Sequence, residues 1–464
     1  MRISLPEVLA ATCGIHVAGP SAAGVATYHT DSREVEPSGL FFALRGAALD
    51  GHAFCADAAS RGAAVVVVER EVEVEGPAVV RVADSWRALY DLAAHVLRRV
   101  SPLVVGITGS NGKTSTKELT AAVLGVRHRV LKTEGNRNTE TGVPLTLLRL
   151  EPSHTAAVLE MGMQGPGEIA RLAALARPHV GVVTMVGSVH LEHFPSPDAL
   201  VRAKGELIRA LPPDGLAVLN AEDGWFDLLR ALSAAPALGF GLEAGDLRAE
   251  NLRALADGGS LLTVAGVPVR LGLPGRHQAR NAVAALAAGR FAGVPLAEGA
   301  RALAGVRVAH RLEERHAPAG YTVIDDAYNA SPESMLAAFE VCRDRPRAGR
   351  LLALLGEMRE LGRAAAEAHR SVGRRAGEVF DRVAVVDTGH GRLLAQAAGA
   401  ELVGDRAAAS RWVRDVAGPG DVVLVKGSNG VALHEVVRDL VTSGISEKAG
   451  APAPQDVPPP GGAT

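Results

Sequence analysis

Residues 104–116 read Val-Val-Gly-Ile-Thr-Gly-Ser-Asn-Gly-Lys-Thr-Ser-Thr, a β-branched run, a small polar loop and a Lys-Thr pair opening a stretch of helical spacing. Strand, loop and helix N-terminus in that order converge backbone N–H groups and the helix dipole on an anion, and the anion expected here is a nucleotide phosphate. Gly109, Ser110, Asn111, Gly112 and Ser115 would line the loop, Lys113 would reach the terminal phosphates, and the Thr114 hydroxyl is placed for a phosphate-bound Mg²⁺. The ordinary P-loop pattern has its first glycine at position 107, where this chain has Ile107.

Other polar residues stand at the ends of apolar runs. Glu160 closes Ala156-Ala157-Val158-Leu159 and suits a metal ligand, a general base or the charged end of a strand, and His190 follows a second such run as a ligand or a structural histidine. Lys204 lies in a helix-like stretch where a solvated lysine is the plain reading. Asn281 can offer an adenine edge both donor and acceptor, or cap its own helix. Asp325-Asp326 end another strand, a natural place for ribose hydroxyls, and Arg311 lies just upstream. Asp31-Ser32-Arg33 forms a polar turn that fits a second anion or a capped turn with a solvated arginine.

The elements that must position these residues follow from periodicity. Residues 1–100 read as a small α/β unit with buried strands near 63–68 and 79–82. Residues 101–309 alternate strand and helix, so Glu160, His190 and the phosphate loop should open onto one crevice beyond the carboxyl ends of a parallel sheet. Residues 310–445 repeat the pattern with four strands ending in polar residues, a second doubly wound domain, and 446–464 turn to Pro, Gly and Ala and read as disordered. The fold class expected is α/β.

Composition narrows the function. At 464 residues the chain exceeds one core, and 47% hydrophobic content supplies several. A net charge of -2 favours neither nucleic acid nor a membrane surface as partner. Cys13, Cys55 and Cys342 are too scattered for a disulfide framework or metal cluster. No signal-peptide core or membrane-length apolar run is present, so a cytoplasmic protein without membrane insertion is expected, and with no long heptad a monomer.

From about Ser21 to Asp439 the chain resembles the Mur ligases, ATP-dependent amide-bond-forming enzymes of peptidoglycan precursor synthesis. Thr108 to Thr114 reproduces their Thr-Gly-x-Asn-Gly-Lys-Thr loop, which accounts for Ile107. Gly135-Asn136 with Asn138 and Gly142-Val143-Pro144, Asp325 to Ala330, and Leu355 to Gly362 resemble the branch that joins D-alanyl-D-alanine to UDP-N-acetylmuramoyl-tripeptide. Asp387-Thr388-Gly389-His390 stands where the branch adding a diaminoacid carries Asp-Asn-Pro-Arg.

The resemblance implies a three-domain architecture with a central P-loop-type ATPase domain and a C-terminal Rossmann-like domain, with ATP and Mg²⁺ as cofactors. It implies Lys113 on the phosphates, with Thr114, Glu160, His190 and a carbamylated Lys204 around the metal ions. Asn281 would meet adenine, Arg311 phosphate and Asp326 ribose. Asp31, Ser32, Arg33, Phe42, Arg45 and Gly46 would form the uridine-diphosphate pocket, and Asn136, Asn138, Tyr328 and Asn329 would contact substrate. One departure stands out: the family's Lys-Gly-Ser-Arg is Lys426-Gly427-Ser428-Asn429 here, so a carboxylate-binding charge is missing. A neighbouring muropeptide ligase and a folylpolyglutamate synthase-like ligase share the phosphate-loop logic; acceptor-amine selectivity decides among muropeptide ligases, and the N-terminal Asp-Ser-Arg and Phe-Phe-Ala-Leu-Arg-Gly stretches weigh against the folate-type reading.

Overall fold

The computed structural model describes residues 1–187, 192, 194–255 and 257–442. Contacts divide the chain into two compact units, the first comprising residues 1–308 with 360–364 and the second residues 309–359 with 365 onward. His190 and the tail from 446 lie outside the described residues.

The first unit holds two large sheets and a two-stranded antiparallel ribbon, Ile3–Ser4 with Gly24–Val25. Strands β1 (Ile15–Ala18), β2 (Thr27–His29), β3 (Gly39–Phe42), β4 (Ala63–Val68) and β5 (Ala78–Arg81) form one in the order β1-β5-β4-β3-β2, parallel except at β1. Helix α1 (Ser85–Val100) begins where Asp84 accepts the Arg87 N–H, and it buries Leu89, Leu92 and Val96 in the core this sheet shares with Val104 and Leu159.

The second sheet positions the phosphate loop. It contains β6 (Leu103–Thr108), β7 (Val130–Lys132), β8 (Ala156–Glu160), β9 (Val180–Val183), β10 (Leu216–Asn220), β11 (Ala237–Gly241), β12 (Leu247–Ala254), β13 (Ser260–Val264) and β14 (Val267–Leu271), in the order β14-β13-β12-β11-β10-β9-β6-β8-β7. From β7 to β12 the pairing is parallel, and β13 and β14 add an antiparallel extension. β6, buried on both sides, is the continuous apolar run a central parallel strand requires. Its register sets Ile107 opposite Glu160 and Thr108 opposite Val183, so three strand ends are level. Helices α2 (Lys113–Leu124) and α3 (Pro197–Lys204) follow, and then α4 (Arg276–Phe291), whose alanine-rich face packs against α2.

The second unit has its own core around Val323, Leu352, Leu354, Val423 and Val425. Strands β15 (Glu313–His316), β16 (Thr322–Asp325), β17 (Leu351–Leu355), β18 (Arg382–Val386), β19 (Glu401–Val403) and β20 (Val422–Lys426) take the order β15-β16-β20-β17-β18-β19, parallel apart from β15. The mixed α/β class expected from periodicity is the observed one.

Candidate active site

The phosphate loop is held from beneath. Gly109 has φ +147°, and a Cβ there would lie 1.9 Å from the Thr184 hydroxyl oxygen, so only glycine fits. That hydroxyl donates to the Asn111 carbonyl at 2.6 Å. Ser110 N donates to the Met185 carbonyl at 2.8 Å, and the Ser110 hydroxyl accepts from Gly187 N at 2.9 Å. Lys113 Nζ donates to the loop carbonyls of Gly109 (2.8 Å) and Ser110 (3.2 Å), which places its charge over the loop. Ser115 is buried and accepts from Gln278 Nε2 at 3.1 Å, while Gln278 Oε1 accepts from Asn281 Nδ2 at 3.1 Å. Asn281 thereby sits against Gly112, with Oδ1 2.8 Å from where a Cβ would stand.

Glu160 is 2% exposed. Its Oε1 accepts from Asn138 Nδ2 at 2.8 Å, whereas no hydrogen-bond donor among the described residues reaches Oε2. Lys117, also buried, lies 3.9 Å from that oxygen and 3.2 Å from Glu118 Oε1, and Glu118 pairs in turn with Lys132. Neither the Asn138 bond nor the Lys117 charge was legible in spacing, because residue type alone does not say that a lysine on α2 turns toward β8. A buried carboxylate oxygen without a donor among the described residues, together with the Thr114 hydroxyl at the start of the loop helix, is a hard-oxygen set of the kind that suits Mg²⁺.

Lys204 ends α3 and is 1% exposed, so the solvated reading does not hold. Burial pushes its amine well below the usual lysine range, and the nearby positive charge of Lys113 adds to the effect. Among the described residues no carboxylate pairs with it.

At the N-terminal sheet Asp31 caps the turn at residues 32–34 and grips Arg33 through Nε (2.9 Å) and Nη2 (2.6 Å), which holds its carboxyl down at about 2. Ser32 is buried and the Arg33 side chain is 80% exposed. Phe42 has no exposed surface and belongs to the core, so any substrate contact there narrows to main chain. Arg45 lies 4.0 Å from Asp50, which also takes the buried His52 Nδ1 at 2.5 Å, and Gly46 turns the chain by donating to the Leu49 carbonyl. Asn136 is exposed.

In the second unit Asp326 Oδ2 pairs with buried Lys426 at 2.6 Å, and Oδ1 accepts from Leu312 N at 3.2 Å. Lys426 also donates to the Asn329 carbonyl at 3.0 Å. The Arg311 guanidinium stacks over Tyr328, 4.4 Å from the ring centroid. Its neighbours His310 and Leu312 both have left-handed backbones, φ 56° and 55°, and His310 Nδ1 is 2.6 Å from Asp325 Oδ2. The segment carrying Arg311 is therefore fixed to the end of β16 on both sides, which sequence did not show.

A phosphate loop on the central strand of a parallel sheet, with a buried carboxylate at the next strand end that keeps one oxygen without a donor among the described residues, defines an ATP-binding α/β enzyme of the P-loop type. The chain belongs to the Mur ligase family: residues 25–101 match its catalytic domain, 107–289 its middle domain and 310–429 its glutamate ligase domain. It is 35% identical over 431 residues to UDP-N-acetylmuramoyl-tripeptide--D-alanyl-D-alanine ligase of Bacillus subtilis (strain 168), covering 90% of this chain and 93% of that protein. Among solved structures, MurF from Acinetobacter baumannii superposes with TM-score 0.86 at 29% identity, over 95% of this chain and 99% of that one. MurF ligase from Thermotoga maritima in complex with ADP gives 0.79 at 31%, over 89% and 96%.

Proposed function

We infer that this chain joins D-alanyl-D-alanine to the terminal carboxylate of UDP-N-acetylmuramoyl-tripeptide, converting ATP to ADP and phosphate. The observation that carries this reading is the 35% identity to a ligase of that name across nine-tenths of both chains. The folate-type alternative has no comparable support.

Activation comes first in the proposed reaction. A carboxylate oxygen of the tripeptide attacks the γ-phosphorus, the bond to the β-phosphate oxygen breaks, and ADP leaves an acyl phosphate. Lys113 lies over the phosphate loop and would meet the negative charge that develops there. Glu160 and Thr114, with His190 and a carbamylated Lys204 as the resemblance implies, would hold Mg²⁺, which supplies neutralisation of phosphate charge. Asn138 fixes Glu160, Asn281 would receive adenine, and Arg311 and Asp326 the phosphate and ribose. The dipeptide amine then attacks the acyl carbon, a proton leaves the nitrogen, and phosphate departs to give the amide.

Asp31, Ser32, Arg33, Arg45, Gly46 and the Phe42 backbone would take the uridine diphosphate end, and Asn136, Tyr328 and Asn329 the remaining substrate. The domains assigned are 1–100 for the UDP-substrate, 101–309 for ATP and 310–445 for the ligase step. ATP and a UDP-linked precursor as substrates accord with work in the cytoplasm, and a monomer is the oligomeric state proposed.

The test is phosphate release with ATP, Mg²⁺ and the UDP-linked tripeptide, comparing D-alanyl-D-alanine with single amino acids. Release only with the dipeptide, with a product heavier by that dipeptide, is expected. A preference for a single amino acid would overturn the assignment within the family.

A further inference from the structure

Beyond the ends of β17 and β20 two loops are laced together. Leu355 is opposite Lys426, and Ser428 N donates to the Glu357 carbonyl at 3.0 Å. Arg359 Nε donates to Glu357 Oε1 at 2.8 Å, which fixes the plane of the guanidinium. The guanidinium also closes on Gly430: a Cβ there would stand 2.0 Å from Nη1 and 2.7 Å from Cζ. Glycine at 430 is therefore what lets Arg359 occupy the space beside Asn429. Ser428, 2% exposed, has a hydroxyl with no hydrogen-bond partner among the described residues.

Ligands of open parallel sheets collect past the strand carboxyl ends. Other cations near this edge are already engaged: Lys426 with Asp326 and the Asn329 carbonyl, Arg311 on Tyr328. Arg359 is half exposed and holds Glu357 through Nε alone, so among the described residues Nη1 and Nη2 carry no hydrogen bond and keep the donor fork that a carboxylate requires. We propose that Arg359 binds the carboxylate of the incoming dipeptide, supplying from residue 359 the charge that Asn429 lacks, with the Ser428 hydroxyl as the neighbouring donor. The proposal rests on the dipeptide-ligase reading above.

Arg359→Gln tests it in the full-length enzyme. The KM for D-alanyl-D-alanine should rise about tenfold or more, the loss expected when a charge-assisted bond to carboxylate is removed, while the KM for ATP stays put. With D-alanyl-D-alaninamide, which has no carboxylate, wild type and variant should behave alike. Gly430→Val, which evicts the guanidinium without touching its charge, should reproduce the Arg359→Gln effect on the dipeptide. An unchanged dipeptide KM in Arg359→Gln, or an equal loss on the amide, overturns the proposal. Failure of the ligase reading shows separately, as wild-type enzyme that releases no phosphate in response to the dipeptide.

Discussion

Lys204 is buried, no carboxylate among the described residues pairs with it, and its charged form there costs stability. Its folded pKa lies well below the unfolded value of 10.5, so between the two the unfolded chain binds a proton that the folded chain does not, and stability rises with pH through that window. Lys204→Met in carbon-dioxide-depleted buffer should therefore raise the melting temperature at neutral pH, with the gain fading as pH approaches 10.5. Turnover should fall by about 10²-fold or more if the residue helps hold metal. With ¹³C-bicarbonate, a carbamate carbon resonance present in wild type and missing in Lys204→Met would show that the amine has attacked carbon dioxide and lost a proton. Sequence named Lys204 only through resemblance; helical spacing pointed to solvent, because α3 gives no sign of which face meets the core. Lys117 escaped notice for the same reason, while Lys113 was legible from the glycines around it.

At the scale of elements, strand ends were the legible part. β8 ends at Glu160, β10 at Asn220 and β20 at Lys426, as apolar runs closed by polar residues predict. β12 to β14 were not foreseen: β12 mixes two arginines and a glutamate into its run, and β13 and β14 are short strands of five residues flanking a turn, too brief for periodicity to declare. Also missed was Thr184, far beyond Gly109 in the sequence yet bonded beneath the loop it supports. Thr184→Val keeps shape but removes the hydroxyl's bond to the Asn111 carbonyl. The KM for ATP should rise about tenfold with the fold retained, as measured by nucleotide titration and circular dichroism, and unchanged affinity would show that the loop keeps its form without that bond.

For the whole molecule, two compact units with separate cores predict more than one calorimetric transition. Lys426→Met leaves Asp326 buried without its partner and should destabilise the second unit by about 3–5 kcal/mol, moving one transition and leaving the other in place. A single transition that shifts as a whole would contradict independent cores. Within the first unit, Ala156, Val158 and Glu160 share one face of β8, and the first two pack with Ile107, Leu119 and Val123, while Ala157 and Leu159 serve the opposite core. A slip of one residue would drive the carboxylate into hydrocarbon and put a leucine beside the phosphate loop. The residue proposed to hold the metal thus also acts as a proofreading mark for folding: a chain paired out of register is penalised at once by its own buried carboxylate, before any substrate arrives.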